Sequence, residues 1–439
     1  MRDTLTKRIS SDCAGLSPVV ARASRARWVC AILVLIVGVV SVQAKDKKKA
    51  AEPPKKNLLE MLDYSRIVWP NPPAIARIKF LNQFYGEKRE AQAATKKSAW
   101  MDRLSGVATG QTSQSEKQFF QLVRPYGVGV DTKGRVYIAD EKVLAVFIWN
   151  PETGQVEMLK NGQQARFRLI TGITLDDADQ LFVSDSELRH VVVFDKEHKA
   201  VASISQGMSS PAGMAVDNEN RFLYVCDTDL DQVLVYDADP PYKLLRKIGH
   251  PSKNHELTTP GDFSRPTNVA VDADGNLYVT DTFNNRVEIF DADGNFISTF
   301  GKAGDGPGYF ARPKGIAIDA DGHIWVADAV QNRVQVFTRE GQLLIWMGGS
   351  GLLPGQFNTA AGITIDKKNR VFTTEQYPGR LQMFRYVTDD EAKAEADQLE
   401  AKPNKKASVG HASSPAAARE AAQAKPVGQP TSVAKETPK

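Results

Sequence analysis

Residues 279–300 read "VTDTFNNRVEIFDADGNFISTF". Three runs of alternating apolar residues are split by Asn-Asn-Arg and by Asp-Gly-Asn. Alternation marks strands with a buried face, and Asn/Gly pairs mark tight turns. The stretch is therefore three short antiparallel strands. Whether it is a local ribbon or one copy of a repeat depends on the rest of the chain.

The same grammar recurs. A small apolar strand ends in Asp six times: "GVGVD" to Asp131, "GITLD" to Asp176, "GMAVD" to Asp217, "NVAVD" to Asp272, "GIAID" to Asp319 and "GITID" to Asp366. The intervals are 45, 41, 55, 47 and 47 residues. After each comes a turn and then a second strand ending in an acid: Asp140, Asp185, Asp227, Asp281, Asp328 and Glu375. A third strand opens with Val146, Val191, Val233, Val287, Val334 or Leu381, and most copies add a fourth, such as "FISTF" (296–300) and "LLIWM" (343–347). A four-stranded unit repeated at this period predicts the radial blades of an all-β propeller. One blade has two apolar faces and cannot bury both alone, so neighbours must cover them.

The sixth copy lacks its fourth strand. Upstream, "AIARIKFLNQF" (74–84) belongs to no repeat, and its "FLNQF" matches "FISTF" in apolar spacing. Residues 74–84 are therefore expected to close the ring in blade six, removing an edge that would otherwise pair with other chains.

The flanks differ. In residues 1–44, Arg22, Arg25 and Arg27 lead into an apolar run from Trp28 to Val42, ending in Val42-Gln43-Ala44. That is the layout of a signal peptide cut after Ala44 or of an N-terminal anchor. The run is short for a bilayer span, which takes roughly 20 residues. A periplasmic or secreted body is expected, with residues 28–42 as its one route to the membrane. Residues 45–72 form a basic, Pro-containing linker, 73–387 the propeller, and 87–123 an insertion. From Thr388 "DDEAKAEADQLEAK" reads as a charged helical extension, and the tail 388–439 is otherwise Ala/Lys/Pro-rich and read as disordered. The chain has 56 Lys and Arg against 52 Asp and Glu. Residues 1–44 carry six and two of these, so the remainder is neutral and offers no bulk attraction to nucleic acid. Of Cys13, Cys30 and Cys226 only the last lies in the body. It fills a slot held elsewhere by Ala139, Ser184, Thr280, Ala327 and Thr374, which makes it a small filler.

"RPTNVAVDADGNLYVTDTFNNRVEIFDADGNFISTFG" (265–301) and "RPKGIAIDADGHIWVADAVQNRVQVF" (312–337) resemble NHL repeats. Arg286, Arg333 and Arg380 keep that repeat's arginine, while Ala145, His190 and Gln232 replace it. The whole layout resembles exported bacterial six-bladed NHL propellers. The resemblance implies that first strands line the axis, and that loops between strands two and three share a binding face with the blade connectors. On that face the candidates for ligand binding are Arg124, Arg265, Arg312 and Lys314, as anion-holding cations, with Asn284, Asn285 and Tyr377. The repeated acids are expected to accept backbone N–H groups in turns. The Asp-Gly pairs at 274–275, 293–294 and 321–322 lack the spaced carboxylates of a calcium loop. His190, His250 and His255 could hold zinc; no metal and no cofactor is assigned. His323, on the opposite face, is expected to be solvated.

The leading expectation is a non-enzymatic scaffold binding a protein or peptide of the cell envelope, with no nucleic acid. The alternative is a metal-dependent hydrolase or lyase at the channel mouth, resembling propellers of the gluconolactonase or amidating-lyase kind. RNA binding stands third.

Overall fold

The computed structural model describes residues 63–86, 121–162, 166–251 and 259–401. The apolar run 28–42, residues 45–62 of the linker, most of the 87–123 insertion, His255 and the tail beyond 401 lie outside these residues; the rest of the linker, 63–72, is described and includes the short strand Val68–Trp69.

The alternating runs become blades. Blade one is Pro125–Val130, Val136–Asp140, Ala145–Trp149 and Val156–Leu159. Blades two and three run from Ile170–Leu175 to Ala200–Ile204 and from Pro211–Asp217 to Leu244–Ile248. The opening stretch spans most of strand two and all of strands three and four of blade four: Leu277–Asp281, Arg286–Phe290 and Phe296–Phe300, beside the inner strand Pro266–Val271. Blade five runs from Pro313–Ile318 to Leu343–Gly348. Inner strands of successive blades touch in turn, and the last touches the first.

Blade six is completed from upstream. Ile78–Phe84 pairs antiparallel with Arg380–Tyr386, with Phe80 opposite Phe384 and Phe84 opposite Leu381. Val68–Trp69 adds a fifth strand. The closing strand thus occupies the place read from the sequence. A helix, Asp389–Ala401, follows blade six, as the charged extension suggested. It lies over the closure through Arg77 with Asp389, Lys79 with Glu395 and Arg385 with Glu391.

Six apolar clusters lie between neighbouring blades, as two-faced sheets require. One joins blades six and one through Phe84, Trp149, Phe372 and Met383. The first residue of each inner motif explains how close the blades come. Five of the six are Gly127, Gly172, Gly213, Gly315 and Gly362; the sixth is Asn268. A Cβ on Gly172 would overlap the carbonyl oxygen of Ala212, and one on Gly362 that of Tyr126. We expect Gly172→Ala to cost about 1–3 kcal/mol, because the overlap is with backbone that cannot swing aside. A urea midpoint unchanged from the parent would refute this.

The repeated acids staple each blade to its entrance. Asp140 accepts N–H groups from Val123 and Arg124 in the connector, at 2.7 and 2.9 Å, and from Lys142 and Val143 in the turn. Asp185, Asp227 and Asp328 repeat the pattern. The expected turn bonds are present, and the bonds back to the connector extend them. The slot of Cys226 alternates around the ring. Ser184, Thr280 and Thr374 in blades two, four and six each accept an N–H from their own inner strand and donate to a carbonyl of the next blade. Ala139, Cys226 and Ala327 occupy the others, all fully buried.

Candidate functional site

Two positions of the repeat meet at the loop-face mouth of the channel. One is the second residue of each inner strand: Tyr126, Thr171, Ala212, Thr267, Lys314 and Ala361. The other follows the acid of strand two: Glu141, Ser186, Thr228, Thr282, Ala329 and Gln376. In five of the blades the backbone N–H of this second position bonds a connector carbonyl, as Glu141 does with Arg124 at 3.0 Å and Gln376 with Thr359 at 3.1 Å. Blade four places its bond one residue later, at Phe283. Most occupants are small. The exceptions are Tyr126 and Lys314 at the first position and Glu141 and Gln376 at the second. They fall in blades five, six and one, which ring closure makes consecutive.

These four side chains converge. Lys314 Nζ donates to Gln376 Oε1 at 3.4 Å and lies 4.9 Å from the centre of the Tyr126 ring. Gln376 Nε2 donates to Glu141 Oε2 at 3.3 Å, and Arg124 Nε meets the same oxygen at 3.1 Å. The backbone of the cluster is pinned from below, because Thr280 donates to the carbonyl of Lys314 and Thr374 to that of Tyr126. Burial pushes the Lys314 amine down to about 8; Glu141 opposes the shift, while Arg124 and Arg312 add to it. Burial also raises the Glu141 carboxyl, against the pull of Arg124 and Lys314. The Tyr126 phenol is raised by burial and by Glu141. An amine and a carboxyl both shifted toward their neutral forms and bridged by one amide make a pair suited to moving a proton.

The sequence-based candidates separate. Arg124 and Lys314 belong to the cluster. Arg312 stacks on Phe283 at 5.2 Å. Arg265 also faces Phe283, at 5.9 Å, and pairs with Asp229. Tyr377 is 59% exposed on the loop after Gln376. Asn285 is half-buried in a left-handed turn. Asn284 is 5% exposed and turns inward, donating to Asp281 and to the Asp262 carbonyl, so its amide serves the blade rather than the open face. His323 is not solvated: it bonds Asp319 and Tyr386 and holds its proton more tightly for it. Tyr126, Glu141 and Gln376 were not singled out from the sequence. The signal was there, as bulky residues at positions otherwise filled by Ser, Thr and Ala.

The gluconolactonase and amidating-lyase kinds of propeller imply a metal. His190 bonds Ser203, and His250 bonds Asp262 at 2.7 Å. Among the described residues no three His, Cys, Asp or Glu side chains are grouped to hold a metal. His255, the third candidate, lies outside the described residues, and no step is routed through a metal.

At the other end of the channel a cavity of about 390 Å³ opens among the hairpins between strands one and two. Its collar is apolar, one residue from each blade: Val130, Leu175, Val216, Val271, Ile318 and Ile365. The acids beside it accept N–H groups of their own hairpins, as Asp131 does from Lys133 and Arg135.

Residues 256–333 match a family described as a 6-bladed beta-propeller. A probable peptidyl-alpha-hydroxyglycine alpha-amidating lyase, pgal-1 of Caenorhabditis elegans, is 28% identical over 184 residues, covering 38% of this chain and 50% of that protein. The match thus spans half the length of that relative. Among solved structures, a gluconolactonase from Xanthomonas campestris is 21% identical with a TM-score of 0.46, over 61% of this chain and 87% of that one. A virginiamycin B lyase from Staphylococcus aureus is 17% identical with a TM-score of 0.45, over 61% and 82%. The expectation of a non-enzymatic chain is corrected by the amidating-lyase match, whose partner is named for a catalysed bond cleavage. The chain is a six-bladed β-propeller, similar over part of its length to a probable amidating lyase.

Proposed function

We propose that the protein is an enzyme of the lyase or hydrolase class, working at the loop-face mouth with Lys314 and Glu141 as its proton-moving pair. One observation carries the reading: a half-buried amine and a half-buried carboxyl share the single amide of Gln376. The homology to a propeller lyase supports the reaction class.

The chain's own groups divide the work. Lys314, neutral in part near pH 8, takes a proton from the substrate, and the Glu141 carboxyl returns one to the departing group. Gln376 orients both. Arg124 uses Nε on Glu141 and presents its outer nitrogens to an anionic substrate group. The next loop position is exposed in every blade. It is charged in blades one to three (Lys142, Glu187, Asp229) and apolar in blades four to six (Phe283, Val330, Tyr377). The apolar half offers a bed for the non-polar part of a substrate.

The test is turnover by the full chain of two probes, glucono-δ-lactone and a dansylated peptidyl-α-hydroxyglycine. Lys314→Met is expected to lower kcat/KM by about 10²–10⁴, the usual worth of a positioned base. The parent rate should climb as pH rises through about 8, because the lowered value makes the neutral amine available there. Unchanged rates in Lys314→Met and Glu141→Gln, or no turnover of either probe, would sink the proposal.

A further inference from the structure

We infer that Lys314 is an amine nucleophile that captures the carbonyl carbon of a short 2-oxo acid as an imine. The inference rests on the mouth being a reactive site and goes further by naming its substrate class.

The geometry around the amine separates it from an ordinary structural lysine. Half-buried lysines usually spend their charge on a carboxylate. Lys314 has one hydrogen-bond partner, the neutral oxygen of Gln376, at a long 3.4 Å. Its other neighbour is the face of Tyr126. Glu141, the carboxylate within reach, is engaged by Arg124 and by the other end of Gln376. The amine is thus desolvated, flanked by guanidinium groups and spared an ion pair, the setting in which lysines react as nucleophiles. The adjoining ring positions carry small side chains, Thr267 and Ala361.

The same surroundings specify the substrate. Arg124 has only its Nε committed, and Arg312 stacks its guanidinium on Phe283 with no side-chain hydrogen bond. Two guanidinium groups with free N–H donors beside a nucleophilic amine suit a molecule with a carboxylate next to a carbonyl.

The step balances without an oxidant or reductant. The Lys314 ammonium first gives a proton to the Glu141 carboxylate; the nitrogen then forms a bond to the carbonyl carbon as the carbonyl π bond breaks, and one of its remaining protons passes to the carbonyl oxygen. The Glu141 carboxyl then protonates that hydroxyl, which leaves as water. The products are a protonated imine, one water and the Glu141 carboxylate, which regains its proton on hydrolysis.

The experiment uses the full chain, pyruvate as the probe and sodium cyanoborohydride at pH 7.5, with peptide mass mapping. The expected result is an N-carboxyethyl group on Lys314 that forms about tenfold or more faster than on any other lysine. Arg124→Gln should slow labelling by pyruvate several-fold more than labelling by acetaldehyde, which has no carboxylate for the guanidinium to hold. Labelling spread evenly over the lysines, in a protein whose circular dichroism matches the parent, would overturn the imine. Equal response of pyruvate and acetaldehyde to Arg124→Gln would overturn the 2-oxo acid assignment. An unlabelled Lys314 in a protein that still turns over the lactone removes this inference alone; absent labelling and absent turnover remove the proton-moving pair with it.

Discussion

A chain that begins at Tyr85 will lose its cooperative thermal transition, or melt more than about 10 °C below the full-length protein. The closing strand Ile78–Phe84 has two partners at once. It ladders with Arg380–Tyr386 in blade six, and it carries Phe84 onto Trp149 of blade one with ring centres 4.6 Å apart. Ile78 and Phe80 are 0% and 3% exposed, and Phe80 meets Phe384 at 5.4 Å. Removing the strand uncovers both aromatic contacts and leaves seven residues of blade six as a bare edge. A full-length Phe80→Asp protein makes the same point without truncation, since it places a carboxylate between Tyr64 and Phe384. Circular dichroism melts of both proteins are the measurement. Melting within about 2 °C of the parent in either would show that the ring holds without this strand.

The architecture was legible because it is written six times. A single "GVGVD" proves nothing, but six at one period leave a repeat of small sheets as the economical reading, and the missing fourth strand points to "FLNQF". The site was harder to read for the opposite reason. A repeat trains attention on what recurs, such as the arginines before the inner strands, whereas the cluster is made of departures. Lys314 and Arg124 were found as cations near strand starts. Tyr126, Glu141 and Gln376 do not stand out in the sequence, because blades one and six are neighbours only after the ring closes. Asn284 misled in another way. A loop residue between Phe283 and Asn285 reads as exposed, yet its amide is drawn inward by Asp281 and the Asp262 carbonyl. Likewise His323 sits in an ordinary hairpin, and nothing in its local sequence announces Tyr386, which reaches it from 63 residues away.

Replacing Arg380 by Met should cost about 3–5 kcal/mol, and the loss should shrink as the solution is acidified. Arg380 is fully buried. Its Nε bonds Glu375 at 2.7 Å, while its outer nitrogens hold the carbonyls of Leu352 at 2.7 Å and Gln356 at 2.6 Å. It therefore ties strand three of blade six to the connector that leads into that blade. Burial already raises the Glu375 carboxyl, with Arg380 the main group opposing it. Without Arg380 the folded-state value rises further above that of the unfolded chain. A group raised on folding contributes stability that is complete below its unfolded value and is lost as pH climbs through the folded one. Arg380→Met should consequently be nearer the parent at pH 5 than at pH 7 in urea titrations. Adding Glu375→Gln to it removes the stranded charge and should restore more than half of the loss at pH 7, because breaking a buried pair costs chiefly through the unpaired partner. A loss below about 1 kcal/mol, or a double variant no more stable than the single one, would show that the pair does not anchor the blade.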